Sequence, residues 1–415
     1  MYIPVLPIPV ETQPLLCLAA GTISAAISTH LILRHDKTSL LALVLLIFIV
    51  IGFLYSLANR QPAISDLVKY SIGPIIYISM RNRFFNIPKN LTIYSTYLLF
   101  AVSIFMFFDI GPVKNIIGLI IERASQSDIG GIRGISLISN EPSYAAGQLI
   151  FLLLTLKFQN EIYKTNSIHT KIAPTLAITM ILMTKSALGY LFLIAYFTPE
   201  ILRQINLKKM LLIAAFGLGV TIMEFIFPSR ISQVISAFQQ ADINNLLLSL
   251  SILEPSGTTR IFLNAAAFSS ILFSPFGYGL GSFSDVWHHT LDKLGLQILQ
   301  NHEILGSVYM SQQQTFASTY LANITNDLGL PALIITLSMF SPFILKLHNN
   351  SIFLQQVSLC LIIMLFFQSQ ITNPIPWALL IMGFNYMGII NNKLSTIDRK
   401  PEQGKENRGE KPRAH

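Results

Sequence analysis

The chain has 415 residues, of which 52% are hydrophobic and only 12% charged, with a formal net charge of +8. Soluble domains carry about 25% charged residues, so this composition excludes a disordered chain, a coiled coil and an ordinary cytosolic enzyme, and leaves an all-α, polytopic membrane protein. The basic excess falls mostly in short segments between apolar runs, as the positive-inside rule expects and nucleic-acid binding does not; Cys17 and Cys360 sit inside apolar runs and offer neither a disulfide framework nor a zinc cluster.

A helix crosses a bilayer core with about 20 apolar residues. In chain order, spans are expected at Pro14–Leu33, Ser39–Ala58, Pro62–Met80 and Leu91–Ile110. Pro142–Leu156, Ile172–Thr184, Ala187–Tyr196 and Met210–Phe227 follow, and then Thr319–Phe340, Ile352–Phe367 and Pro374–Ile390. That makes 11 stretches, of which the two flanking Lys185-Ser186 are short and read as two short or re-entrant helices. The basic groups Arg81/Arg83/Lys89, Lys157/Lys164/Lys171, Lys208/Lys209 and the C-terminal tail agree on one cytoplasmic side when the N-terminus lies outside and the C-terminus inside. No basic n-region of a cleavable signal peptide precedes the first apolar run. Residues 1–391 then form the membrane domain and 392–415 a disordered cytoplasmic tail. Two outward segments, about 111–141 and 228–318, are too long for simple turns, and connections of this kind usually carry function.

The first outward segment reads Gly130-Gly131-Ile132-Arg133-Gly134 and runs to Glu141-Pro142-Ser143 before a span. Proline favours the first helical turn, so a helix is expected to begin at Pro142. Arg133 presents a planar fork suited to phosphate oxygens. Either it pairs with Glu141 to pin the loop, or the two form an anion site with a carboxylate beside it. Lys185 and Ser186 place a cation and a hydroxyl at the membrane boundary, where an ionisable group is a functional candidate and snorkelling the plain alternative. In the second outward segment, Arg260 precedes an apolar stretch, Ile261–Leu272, expected to be an amphipathic or membrane-lying helix. Gly277, Gly279 and Gly281 follow in a compact turn that lacks the strand-and-helix setting of a dinucleotide fold. Arg230 fits an ordinary surface role better than a place in this site. His288, His289 and His302 cluster loosely without metal-ligand spacing, so no metal site is expected, although one of them is a candidate general base. Asp66 and Lys69 are three apart on a helix and are expected to pair.

The order of these features resembles the O-antigen polymerase and ligase superfamily, the Wzy-type membrane proteins. Four landmarks carry the resemblance between Gly130 and Leu345. They are Arg133 running into Glu141-Pro142-Ser143; Thr184, Ser186 and Gly189 in a broken span; Arg260 with the turn from Gly277 to Phe283; and Ser318–Asn323 leading to Asp327-Leu328-Gly329. Ligase-like members carry a His-Asn pair where this chain has Ser318-Thr319, which tilts the resemblance towards a polymerase and leaves the base unassigned. The resemblance implies a GT-C-like membrane glycosyltransferase of the bacterial inner membrane that needs no cofactor. Its substrates would be undecaprenyl-diphosphate-linked oligosaccharides, and a chain-length regulator would be a possible partner. Arg133 and Arg260 would then neutralise the departing diphosphate, and Glu141 would orient an arginine or accept the proton of the attacking hydroxyl. Lys185, Ser186, Gly277, Gly279, Gly281, Ser318 and Asp327 would line the substrate. A flippase for the same lipid-linked sugars is the competing reading, but it would spread charge over several spans and both faces.

Overall fold

The computed structural model describes residues 37–59, 64–81, 88–108, 134–137, 139, 141–164, 167–203, 239–240, 255–295, 306, 315–344, 351–368 and 372–398. Among the described residues every regular element is helical. We number the helices α1 (Lys37–Asn59), α2 (Ile64–Met80), α3 (Lys89–Phe107), α4 (Pro142–Tyr163), α5 (Ile168–Met183) and α6 (Ala187–Arg203). They continue with α7 (Pro255–Ser269), α8 (Phe283–Lys293), α9 (Tyr320–Ile344), α10 (Ile352–Ile363) and α11 (Ile375–Asp398).

Among the described residues three stretches are long and apolar enough to cross a membrane: Lys37–Ala58, Lys89–Phe107 and Tyr320–Phe343. On α1 the leucines and isoleucines point both ways. Leu45 and Ile49 are fully buried, while Ile51, Leu54 and Leu57 are more than half exposed, the division a lipid-facing helix shows. Of the other expected spans, Pro14–Leu33 and Met210–Phe227 lie outside the described residues, and the rest fall on helices. The pair around Lys185 is indeed two short helices. The 16 residues of α5 rise only about 24 Å, less than a hydrocarbon core of about 30 Å.

One large core joins α1 to α6 with α9, α10 and α11. Its centre is Trp377 of α11, fully buried, with Tyr77, Tyr320 and Phe340 around its ring. α2 approaches so closely there that a side-chain carbon at Gly73 would collide with the indole. Small residues at helix contacts are how membrane bundles bring backbones together. A second, smaller core of Phe262, Leu263, Ala266, Ala267, Phe283, Trp287, Leu291, Ala317 and Ala322 ties α7 and α8 to the beginning of α9. Of the two expectations for Ile261–Leu272, an amphipathic or a membrane-lying helix, the packing fits the amphipathic one, and the extent is corrected. The helix starts at Pro255, takes in Arg260, and turns its apolar side inward onto α8 and α9.

α9 is not continuous. Gly329, at φ 74 and ψ −168, breaks it into two helical pieces. The hydropathy of the whole stretch hides this break, because both pieces are apolar enough to read as one span.

Candidate functional site

Glu141 precedes α4 in extended conformation (φ −140, ψ 148), with Pro142 in the first helical position. The local sequence dictates this start, since proline lacks the N–H that a first turn leaves unpaired. A carboxylate beside a helix N-terminus also meets the positive end of the helix dipole. Arg260, 119 residues away on α7, donates from Nη2 to Glu141 Oε2 at 2.8 Å. The two side chains are 37% and 32% exposed, so the pair faces solvent rather than the core. Ser143 Oγ makes a longer contact, 3.3 Å, to the same carboxylate oxygen.

α7 also carries Asn264, one turn after Arg260. Its Oδ1 accepts the backbone N–H of Ser318 at 3.0 Å. That bond fixes the segment leading into α9 beside the helix that carries the arginine. Ser318 Oγ is itself buried without a protein partner, as are Tyr320 Oη and Asn323 Oδ1 on the first turn of α9. The entrance to α4, the middle of α7 and the entrance to α9 thus converge.

The glycine turn builds a different kind of centre. Gly277, Gly279 and Gly281 have φ of 82°, 92° and 73°, a region that side chains with a Cβ rarely adopt. The turn lies directly on the break in α9. Tyr278 N donates to Asn326 O at 3.0 Å, Gly279 N to Asp327 O at 2.9 Å, and Leu330 N to Pro275 O at 2.8 Å. Asp327 is 3% exposed and is fully engaged. Its Oδ2 accepts from Tyr70 Oη and from Gly281 N (2.7 Å), and its Oδ1 from Ser282 Oγ (3.1 Å) and Asn326 Nδ2 (2.7 Å). Asp66 and Lys69 pair at 2.7 Å on α2, as their spacing predicts. A Cβ on Gly281 would sit 2.6 Å from Asp66 Oδ2. α2 thereby closes the far side of the turn.

Lys185 occupies the turn between α5 and α6 at φ 48, 8% exposed, with its Nζ 5.7 Å from the centroid of the Phe107 ring. Ser186 beside it is 9% exposed, and its backbone N–H reaches Thr184 Oγ1 at 3.4 Å. Gly134 and Ile135 stack on this turn. Ile135 N donates to Met183 O at 3.1 Å, and Gly134 lies so close that a Cβ would strike the Thr184 carbonyl. The residues leading to Glu141 are therefore seated on the Lys185 hairpin.

Arg133, Arg230, His302 and Glu303 lie outside the described residues. Among the described residues Glu141 pairs with Arg260; the expected partnership of Arg133 with Glu141 lies outside them. His288 and His289 stand together on α8, ring centroids 3.9 Å apart. Burial, and then the neighbouring His289, hold the His288 imidazole below its ordinary range, while burial raises the Tyr278 phenol. Among the described residues there is no group of three or more His, Cys, Asp or Glu placed to hold a metal ion. Sequence reasoning misses Asn264, Tyr70 and Ser282, which are ordinary polar residues in apolar surroundings. The amides shortly before Asp327 in the sequence, at Asn323 and Asn326, were the available signal, since polar groups within an apolar run are seldom idle.

Chemically, the half-exposed pair presents a guanidinium whose orientation is fixed by a carboxylate. Arginine presents five N–H donors in a planar fork, the geometry that suits carboxylate and phosphate oxygens. Compared with family models, with curated proteins and with solved structures, the chain matches none.

Proposed function

We propose that this chain is a membrane glycosyltransferase that polymerises undecaprenyl-diphosphate-linked oligosaccharide repeat units at the outer face of the bacterial inner membrane. In this reading the bundle has 11 spans and a GT-C-like architecture, with the N-terminus outside, the C-terminus in the cytoplasm and arginines on the diphosphate. The observation that carries it is the Arg260–Glu141 pair, half-exposed beside the Ser318 segment. In the reaction the bond between the anomeric carbon and the phosphate oxygen breaks, and a sugar hydroxyl of the incoming unit forms the new glycosidic bond. Negative charge grows on the departing diphosphate. A preorganised guanidinium in a partly dry site stabilises that charge most where it develops. Glu141 holds Arg260 in position, and Arg133 supplies a second cation from the same outward segment. The attacking hydroxyl loses its proton to a base that the Arg–Glu pair does not itself provide.

Glycan laddering on a gel tests this reading in cells lacking the protein, cells carrying it, and cells carrying Arg260→Ala. Loss of long chains with survival of a single capped repeat supports a polymerase that needs Arg260. Accumulation of long polymer on the lipid carrier, with none on its final acceptor, replaces the reading with a ligase. Unchanged polymer in every strain removes the enzyme reading and leaves transport.

A further inference from the structure

Between α7 and the glycine turn the chain makes a tip whose large side chains point outward. Leu272 is 74% exposed, Phe273 40% and Phe276 81%. This exposure is built rather than frayed. Phe273 N and Ser274 N both donate to Ser270 O (3.0 and 2.8 Å), and Ser274 Oγ donates to Gly277 O at 2.7 Å. Ser270 and Leu280, on either side, are buried. The backbone is thus held in a tight turn that presents three large apolar groups outward. Apolar groups gathered on one outward tip mark an interaction surface.

The height of the tip on the molecule identifies what covers it. Gly279 packs against Tyr55 and Ser56 of α1, and Ser56 Oγ lies 3.4 Å from Leu280 O. Ala58 ends the stretch of α1 that is long and apolar enough to span a bilayer. At 1.5 Å rise per residue, Tyr55 and Ser56 lie only about 3–5 Å short of that end. Phe276 is three residues from Gly279, within about 10 Å along the chain. At this same height α1 leaves Ile51, Leu54, Tyr55 and Leu57 uncovered, each more than half exposed. The tip therefore lies within about 10 Å of the uncovered apolar face of α1, near the level where its apolar run stops. Beside it, the exposed Lys293 at the end of α8 sets its Nζ 4.7 Å from the centroid of the Phe273 ring. Aromatic rings next to a lysine suit the boundary between acyl chains and anionic headgroups.

We propose that Leu272, Phe273 and Phe276, with Lys293 beside them, form a lipid contact that sets the glycine-turn segment into the bilayer at the end of α1. Acyl chains cover the three apolar groups, and Lys293 faces the headgroup phosphates. The contact stands apart from the reading of the reaction, because none of these residues belongs to the Arg260–Glu141 pair.

The test uses the full chain reconstituted in phosphatidylcholine bilayers with and without phosphatidylglycerol. Spin labels are placed on Leu272→Cys and Phe276→Cys in a Cys17→Ser background, Cys360 being fully buried. Leu54→Cys serves as the bilayer reference, and Asp285→Cys, exposed on α8, as the aqueous one. Labels at 272 and 276 should collide with dissolved oxygen as the Leu54 label does and be shielded from a water-soluble nickel chelate. Relaxation by the chelate as strong as at Asp285, or shielding from both reagents as under a protein partner, overturns the proposal. Phe276→Trp gives a label-free check: chain-brominated lipids should quench its added emission over wild type, and no quenching counts against the contact. Lys293→Gln should move the labels towards the chelate only in bilayers containing phosphatidylglycerol; an unchanged depth overturns the role of Lys293.

Discussion

Glu141 and Asp327 are both carboxylates beside helical breaks or starts, yet their surroundings are opposite. Asp327 is buried and receives four donors, two on each oxygen, from three separate parts of the chain. Glu141 is a third exposed, and its Oε2 receives Arg260 at 2.8 Å and Ser143 Oγ at 3.3 Å. A carboxylate with every acceptor site filled is a fastener: it has nothing left to offer a substrate. A carboxylate that pairs with a half-exposed cation instead fixes where that cation sits at the surface of the fold. The difference divides the residues predicted for one site into a buried clasp, made of Gly277, Gly279, Gly281 and Asp327, and a half-exposed edge, made of Arg260 and Glu141, to which the proposed reaction is assigned.

The largest effect expected from that division is on folding at the clasp. Asp327→Ala removes the acceptor shared by Tyr70, Gly281, Ser282 and Asn326; Tyr70 and Asn326 keep second contacts to Asn323 O and Ser282 Oγ, and a buried donor left unsatisfied costs about 1–3 kcal/mol. Folded protein recovered from membranes, read by size-exclusion of a fluorescent fusion, should fall sharply. Normal accumulation with lost activity would erase the distinction by making Asp327 a reactive group. At the edge, Arg260→Ala should lower polymerisation by about 10²–10³-fold, the scale of removing one preorganised donor. Its melting temperature should barely move, because an exposed ion pair contributes only about 0–1 kcal/mol. Glu141→Gln keeps an acceptor but loses the charge that aims Arg260, and a drop of roughly tenfold, about 1.4 kcal/mol, is expected. A double-mutant cycle between the two positions sharpens this, since Glu141→Gln should add little once Arg260 is already alanine. The smallest effect is one of pH. His288 lies on α8 directly after the clasp, and its imidazole is held below the ordinary range, by burial first and His289 second. The unfolded chain then takes up a proton that the folded chain resists, so the stability present above about pH 6.5 declines as pH falls below it. His288→Gln should flatten that acid limb in thermal unfolding followed across pH, and an unchanged limb would assign the acid sensitivity elsewhere.

Much of this was legible locally. Glu141-Pro142 announced a helix start because proline fits only a few helical positions, and Asp66 and Lys69 announced a pair because three residues make nearly one helical turn. Three alternating glycines marked a turn that needs left-handed backbone. What stayed hidden depends on chain return. Nothing in the neighbourhood of Glu141 points to Arg260 at a separation of 119 residues, and Arg133 was the nearer cation. Tyr70 meets Asp327 across 257 residues. The break at Gly329 was masked for another reason: hydropathy averages over a window and cannot register one residue at positive φ. The facing of α7 was open because its partners lie on α8 and α9, later in the chain.

That break has a consequence for how the molecule is made. Interrupting α9 leaves main-chain groups of Asn326, Asp327 and Leu330 without intrahelical partners, and in lipid each such group would cost several kcal/mol. All three are met by Pro275–Gly279, a stretch that emerges from the ribosome about 50 residues earlier. When the two halves of α9 are released for insertion, the template that completes them has already been synthesised. Biogenesis therefore runs in the direction the hydrogen bonds require: the earlier segment waits for the later helix, and the helix need never enter the bilayer with its gap unfilled.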